Sequence, residues 1–241
     1  MINGFELLVN RLDFSGNYWQ NIVHCEPQQT RELLHMNHLP TTLCLLLSLL
    51  FHAVNGQQSK IDSIEKEIKI ADDSEKIKLM SSLVVTYADE NKKKARALLP
   101  RIDSLAKKLD SPIYYTFSHR AKGDFYNQTG NYDEAIDQYE GAIAILQNDS
   151  SQLKKYVAPV FNNLGSAYEK KGDYEKALSC YFKALDYWKK NSSKKGISRA
   201  YINIGLIHFR SDNYSKAESF YNKSLELRKE IGDREGEALV Y

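Results

Sequence analysis

Residues 57–241 carry two histidines, His119 and His208, and one cysteine, Cys180. These side chains can ligate a metal or serve as nucleophile and general base, but either chemistry needs several of them brought together. Their spacing supplies no such group. No His/Cys pair lies at metal-ligand intervals, no glycine-rich turn leads from a strand into a helix to cradle phosphate, and no Ser/His/Asp set is evident. The carboxylates are scattered along polar faces. Cys180 adjoins Tyr181 in an amphipathic stretch, the setting of a buried, inert thiol. No catalytic residue, metal or cofactor is therefore expected, and the chain reads as non-enzymatic.

Composition narrows the partners. The formal net charge is +2, with Lys and Arg interleaved among Asp and Glu, whereas a nucleic-acid footprint clusters positive charge on one face. The runs Lys92-Lys93-Lys94 and Lys189-Lys190 read as solvated helix ends. No nucleic acid is expected to bind through this region. Sequons at Asn127, Asn148, Asn191, Asn213 and Asn222 arise easily in an Asn- and Ser-rich chain and matter only in a eukaryotic secretory pathway.

The elements that must position any site are most legible from Ala158 to Trp188. Phe161, Leu164 and Tyr168, then Ala177, Tyr181, Ala184 and Leu185, recur at helical spacing, so each half collects its apolar and small residues on one face. Gly165 sits mid-helix, where glycine costs about 1 kcal/mol against alanine. Close approach of the facing helix offsets that cost. Gly172-Asp173 supplies the turn between the two helices, with the positive φ that glycine allows.

The same unit recurs on both sides. Upstream stand Gly123, Gly130-Asn131-Tyr132, Ala135, Tyr139 and Ala142; downstream stand Gly205, Asn213-Tyr214, Ala217, Tyr221 and Leu225. The mid-helix glycines are 42 and 40 residues apart, a period that signals a stacked solenoid. The run Leu-Gly-x-x-Tyr, Gly-Asp-Tyr, Lys-Ala, Tyr, Ala-Leu resembles the tetratricopeptide repeat (TPR). The period exceeds the ~34 residues usual in that family, and the proline that often follows the second helix is missing. Longer helices absorb the difference. The expected fold is an all-α solenoid of antiparallel helix pairs, with a capping helix over 57–73 and repeats near 74–110, 112–149, 153–191 and 194–231. A partial repeat is expected over 234–241. The first repeat is degenerate, with Val84 in the glycine position and Ala95 one residue early, which predicts looser packing there. Ser111-Pro112 reads as a capped helix start. His208 stands where other repeats have Tyr, and His119 shares the slot of Phe161 and Tyr201, so both read as packing residues.

The resemblance implies a groove along the first helices of successive repeats that binds a protein or peptide. Carried over residue by residue, the groove positions are Phe117, Arg120, Asp124, Asn127 and Gln128; Asn162, Ser166, Glu169 and Lys170; and Arg199, Ile202, Leu206, Phe209 and Arg210. Ile202, Leu206 and Phe209 form an i, i+4, i+7 apolar stripe. It reads either as an anchor for an apolar or acidic-apolar segment or as a surface that packs on a further repeat.

Residues 1–35 show no clear period and read as a leader or a mis-assigned start. Residues 36–56 contain the apolar run Leu43–Phe51, far too short to span ~30 Å of hydrocarbon but the length of a signal-peptide core, with small residues near Gly56 for cleavage. The alternative is an apolar helix packed on the first repeat. A signal would place the mature chain outside the cytoplasm, touching the membrane only through that segment or a span farther downstream. Long-period TPRs behind a signal also resemble the sensing arm of bacterial membrane-bound regulators. The chain thus reads as a binding scaffold or as the sensory part of a signal transducer.

Overall fold

A computed structural model describes residues 58–148 and 154–233. The chain divides into two compact units, Met1–Lys60 and Ile61–Tyr241, and the helix pairs all lie in the second. The expectations for 1–35, 36–56 and 234–241 fall outside the described residues. Among those described there are nine helices and no strand: α1 (58–70), α2 (Asp73–Glu90), α3 (Lys92–Leu109), α4 (Pro112–Thr129), α5 (Tyr132–Asn148), α6 (Lys154–Lys171), α7 (Tyr174–Lys190), α8 (Lys194–Arg210) and α9 (Tyr214–Ile231). None of them is long and apolar enough to cross a membrane. Consecutive helices pack as pairs, α2 with α3 through α8 with α9, and each first helix also packs on the pair before it.

One device closes most helices. After α4, α6, α7, α8 and α9 the chain bends back so that an amide five residues on reaches a carbonyl of the last turn: Asn131 to Tyr126, Asp173 to Tyr168, Ser193 to Trp188, Asn213 to His208 and Asp233 to Arg228, all 2.9–3.0 Å. This bond needs a left-handed residue at the turn. Gly130 (φ 87°) and Gly172 (φ 89°) take it freely, while Asp212 (φ 56°) and Ser192 (φ 53°) take it without glycine. The next helix is then capped by a polar side chain, as where Asp173 accepts from the Lys176 amide at 3.1 Å. Ser111 departs from expectation. It holds the N-cap position ahead of Pro112 but makes no side-chain capping bond.

The core is built from the small residue of one helix and the large ring of the next. A Cβ added at Gly123, Gly165 or Gly205 would lie 2.6, 2.7 or 2.7 Å from the ring of Tyr139, Tyr181 or Tyr221, closer than real Cβ atoms approach anything. Tyr139 and Tyr181 are fully buried, with Ala135, Ala142, Ala177 and Ala184 letting the backbones close around them. In the first pair both halves of this contact change. Val84 replaces the glycine and Leu99 stands one residue short of the tyrosine position, and both are buried. The capping helix α1 buries Ile61 against this pair, with Ile64 and Ile68 beside it, and Glu65 accepts from the Tyr87 hydroxyl at 2.5 Å.

Candidate functional site

Helical spacing puts Asp124, Asn127 and Gln128 of α4 on one face, Asn162, Ser166, Glu169 and Lys170 of α6 on the next, and Lys195, Arg199, Ile202 and Leu206 of α8 on a third. Together they line a cleft of about 830 Å3. Ten of the fourteen residues expected in the groove are in this lining. The rest of the wall comes from Val85 of α2, Asn163, Asn203, Arg228 and Asp233, with the edges of Tyr139 and Tyr181 in the floor.

A hydrogen-bonded chain crosses three repeats along the wall. Asp124 Oδ1 accepts from the Tyr139 hydroxyl (2.7 Å) and from Asn163 Nδ2 (2.8 Å). Asn163 Oδ1 in turn accepts from Asn162 Nδ2 (3.4 Å), and Asn162 Oδ1 accepts from Asn203 Nδ2 (2.8 Å). Each link between repeats joins residues 39 or 41 apart, so the sequence period becomes a ladder of side-chain amides. A second knot lies one repeat on, where Glu169, only 8% exposed, accepts from the Tyr181 hydroxyl at 2.6 Å and meets Arg210 at 3.4 Å. Lys170 donates to the Asn127 carbonyl at 3.4 Å.

Burial governs the protonation of these groups. It pushes the Asp124 carboxyl above the usual carboxylate range, against the opposing pull of Arg120, Tyr139 and Asn163. It also raises the Tyr139 and Tyr181 hydroxyls, each helped by its carboxylate partner. Both tyrosines therefore stay protonated and act as donors.

Four expected groove residues do not line the cleft. Phe117 is 5% exposed and sits in the core edge-on to Tyr156 (5.5 Å), because α6 closes over the start of α4. Arg120 lies over the Phe117 ring, its Nε 3.9 Å from Asp124. Arg210 is drawn off to Glu169. The apolar stripe of α8 splits, since Ile202 and Leu206 face the cleft while Phe209, 52% exposed, turns to Tyr214 on α9 (5.4 Å).

Sequence reasoning missed Asn163, Asn203, Lys195 and Arg228. Asn163 and Asn203 each stand two residues before a mid-helix glycine, and that repeated placement was the available signal. The histidines and the cysteine stay apart. His119 Nδ1 lies 3.1 Å from Gln138 and its ring packs on Gly141; His208 stacks on Phe220 (5.6 Å, 9°); Cys180 is buried, its thiol pushed up to about 11 by burial. Among the described residues no group of three or more His, Cys, Asp or Glu could hold a metal ion.

Comparison with known proteins bears on the fold. Tetratricopeptide repeat models match residues 156–230 and 121–148. Among solved structures, Bacillus thuringiensis PlcR in complex with the peptide PapR7 and DNA is 15% identical, with a TM-score of 0.63 over 76% of this chain and 69% of that one. The Pyrococcus horikoshii protein PH0952, a signal transduction ATPase with a tetratricopeptide repeat sensor, is 19% identical, with a TM-score of 0.61 over 76% of this chain but only 28% of that one. BtubC from P. vanneervenii is 19% identical, with a TM-score of 0.56 over 72% of this chain and 74% of the other. No curated protein sequence matches the chain. The described residues form an all-α solenoid built on tetratricopeptide repeats.

Proposed function

We propose that this protein is a non-catalytic TPR scaffold of the long-period bacterial type, which binds a protein or peptide outside the cytoplasm. The observation that carries the binding role is the cleft itself. One continuous lining spans α4, α6 and α8, with polar side chains held rigidly by the amide ladder and with Ile202 and Leu206 left as apolar contacts. A preorganised wall of this kind reduces the ordering cost of binding a flexible segment. The extracytoplasmic location rests on the signal-like character of residues 36–56.

The test is selection of binders from a random peptide library by the purified protein. Charge reversal inside the cleft, Arg199→Glu, should lower affinity at least fivefold, whereas Lys223→Glu, outside it, should not. The opposite ranking removes the cleft as the binding surface. For location, the N-terminus of the protein recovered from the extracytoplasmic fraction should begin near Gln57. A cytoplasmic product that retains residues 36–56 contradicts that part. A screen for hydrolase activity should be blank, and a robust activity lost on changing His119 or His208 would overturn the non-catalytic reading.

A second reading, the sensory part of a membrane-bound signal transducer, draws support from two of the similar folds. One is described as carrying a tetratricopeptide repeat sensor, the other as complexed with a peptide and DNA. Coding sequence downstream of residue 241 separates the readings. An apolar segment of ~20 residues followed by an output domain favours the transducer, and an immediate stop removes it.

A further inference from the structure

The second helices of the first two pairs, α3 and α5, carry opposite charge. Seven lysines and arginines stand exposed along α3, from Lys92 to Lys108, and its one acid, Asp103, is already held by Ser118 and Lys122 of α4. Four acids stand exposed along α5, Asp133, Glu134, Asp137 and Glu140, and that helix has no lysine or arginine. The two faces are neighbours. Ser118 and Lys122 of α4 meet Asp103 of α3, while the adjoining His119 packs on Gln138 and Gly141 of α5, so α3 and α5 flank one face of α4. No residue of α3, and of α5 only Tyr139, lines the cleft.

Few of these charges are neutralised within the chain. Lys108 pairs with Asp73 at 2.5 Å, Asp133 pairs with Lys171, and Glu140 accepts from Tyr168 at 3.1 Å, but among the described residues no ion pair joins α3 to α5. Lys93, Arg101 and Lys107 of α3 and Glu134 and Asp137 of α5 are exposed and form no ion pair. A cationic strip beside an anionic one is self-complementary, because a half-turn about an axis between the strips lays α3 of each copy on α5 of the other. The crossed helices then run antiparallel. The first half of α5, which holds all four acids, meets the second half of α3, which holds Arg101, Lys107 and Lys108, and the helix dipoles align favourably. We propose that this face joins two copies of the chain in a symmetric dimer, α3 of each on α5 of the other, held by opposite charge. Two helices side by side, each about 27 Å long and about 10 Å wide, cover about 500 Å2 per copy and about 1,000 Å2 in all, the lower limit for a specific interface. The dimer is therefore weak and sensitive to salt, and it leaves the cleft outside the contact.

The experiment is sedimentation velocity on the full chain at about 30 mM and about 500 mM salt. A dimer should form at the lower salt, and its dissociation constant should rise about tenfold or more at the higher. Two paired variants test the geometry. Arg101→Glu/Lys107→Glu sets acid against acid, and Glu134→Lys/Asp137→Lys sets cation against cation; all four positions are exposed, and circular dichroism verifies that each variant keeps its helical signal. Each variant alone should be monomeric at the lower salt. Mixed in equal amounts, the two should associate with one another, because each strip then meets its opposite. Association that ignores salt, association that survives either pair of changes, or a mixture that stays monomeric overturns the proposal. So does a parent that remains monomeric at about 100 μM in the lower salt; if that monomer pellets with phosphatidylserine vesicles and Arg101→Glu/Lys107→Glu does not, the cations of α3 meet an anionic membrane instead of a second copy.

Discussion

Replacing Gly165 with Ala sets two well-defined effects against each other. Helix propensity alone favours alanine by about 1 kcal/mol in a helix interior. Against this, the new methyl would stand 2.7 Å from two ring carbons of Tyr181, about an ångström inside ordinary contact. The ring cannot swing away, because Tyr181 is fully buried and its hydroxyl is tied to Glu169 at 2.6 Å. Overpacking a closed core costs about 1–3 kcal/mol, and a ring held at both ends belongs at the upper limit. The net expectation is a loss of about 2 kcal/mol, or about 4–8 °C in melting temperature for a domain of this size. Urea unfolding followed by circular dichroism, carried through a cycle with Tyr181→Leu, isolates the contact. With the ring gone, Gly165→Ala should become neutral or stabilising. If Gly165→Ala stabilises the parent by its propensity alone, the close glycine–tyrosine contact is not what joins α6 to α7.

Three other outcomes are expected from the same geometry. Ala177→Leu should cost about 1–3 kcal/mol by overpacking a fully buried site, while the exposed neighbour Glu175→Ala should stay within about 0.5 kcal/mol, both read from urea midpoints. Burial raises the folded-state Asp124 carboxyl above its ordinary value of 3.8, so its contribution to stability is present below that pH and is lost as pH rises through the folded value. The stability of the parent relative to Asp124→Asn should therefore fall as pH rises from the ordinary carboxylate value through the folded one, and a rise would mean that Tyr139, Asn163 and Arg120 outweigh burial. Cys180, buried with its thiol raised to about 11, should resist iodoacetamide at about pH 8 in the native protein and react on unfolding, as mapped by mass spectrometry.

The helix pairs were legible because each carries its own local record. Gly165, Tyr181 and the turn at Gly172 stand in fixed phase, and the phase repeats at Gly123 and Gly205. Most of the groove was legible for the same reason, since helical spacing alone fixes which side of α6 carries Asn162, Ser166 and Glu169. The positions that failed depended on neighbours outside the repeat. Phe117 matches a groove position by register, but at that level Tyr156 of the following repeat covers it, so a cleft residue in one repeat is a core residue in another. Phe209 continues the spacing of Ile202 and Leu206, yet it lies in the last turn of α8, within reach of Tyr214 across the bend. The amide ladder went unseen because its bonds join residues about 40 apart, a pairing that periodicity permits but does not choose.

The cleft can be tested as the binding surface by site-specific photo-crosslinking. A benzophenone side chain would be introduced in turn at Leu206, inside the cleft, and at the half-exposed Phe182, outside it, and each protein irradiated with a library-selected peptide. Covalent adducts from position 206 and none from position 182 are the expected result. Adducts from 182 with none from 206 would place the binding surface outside the cleft and contradict the assignment.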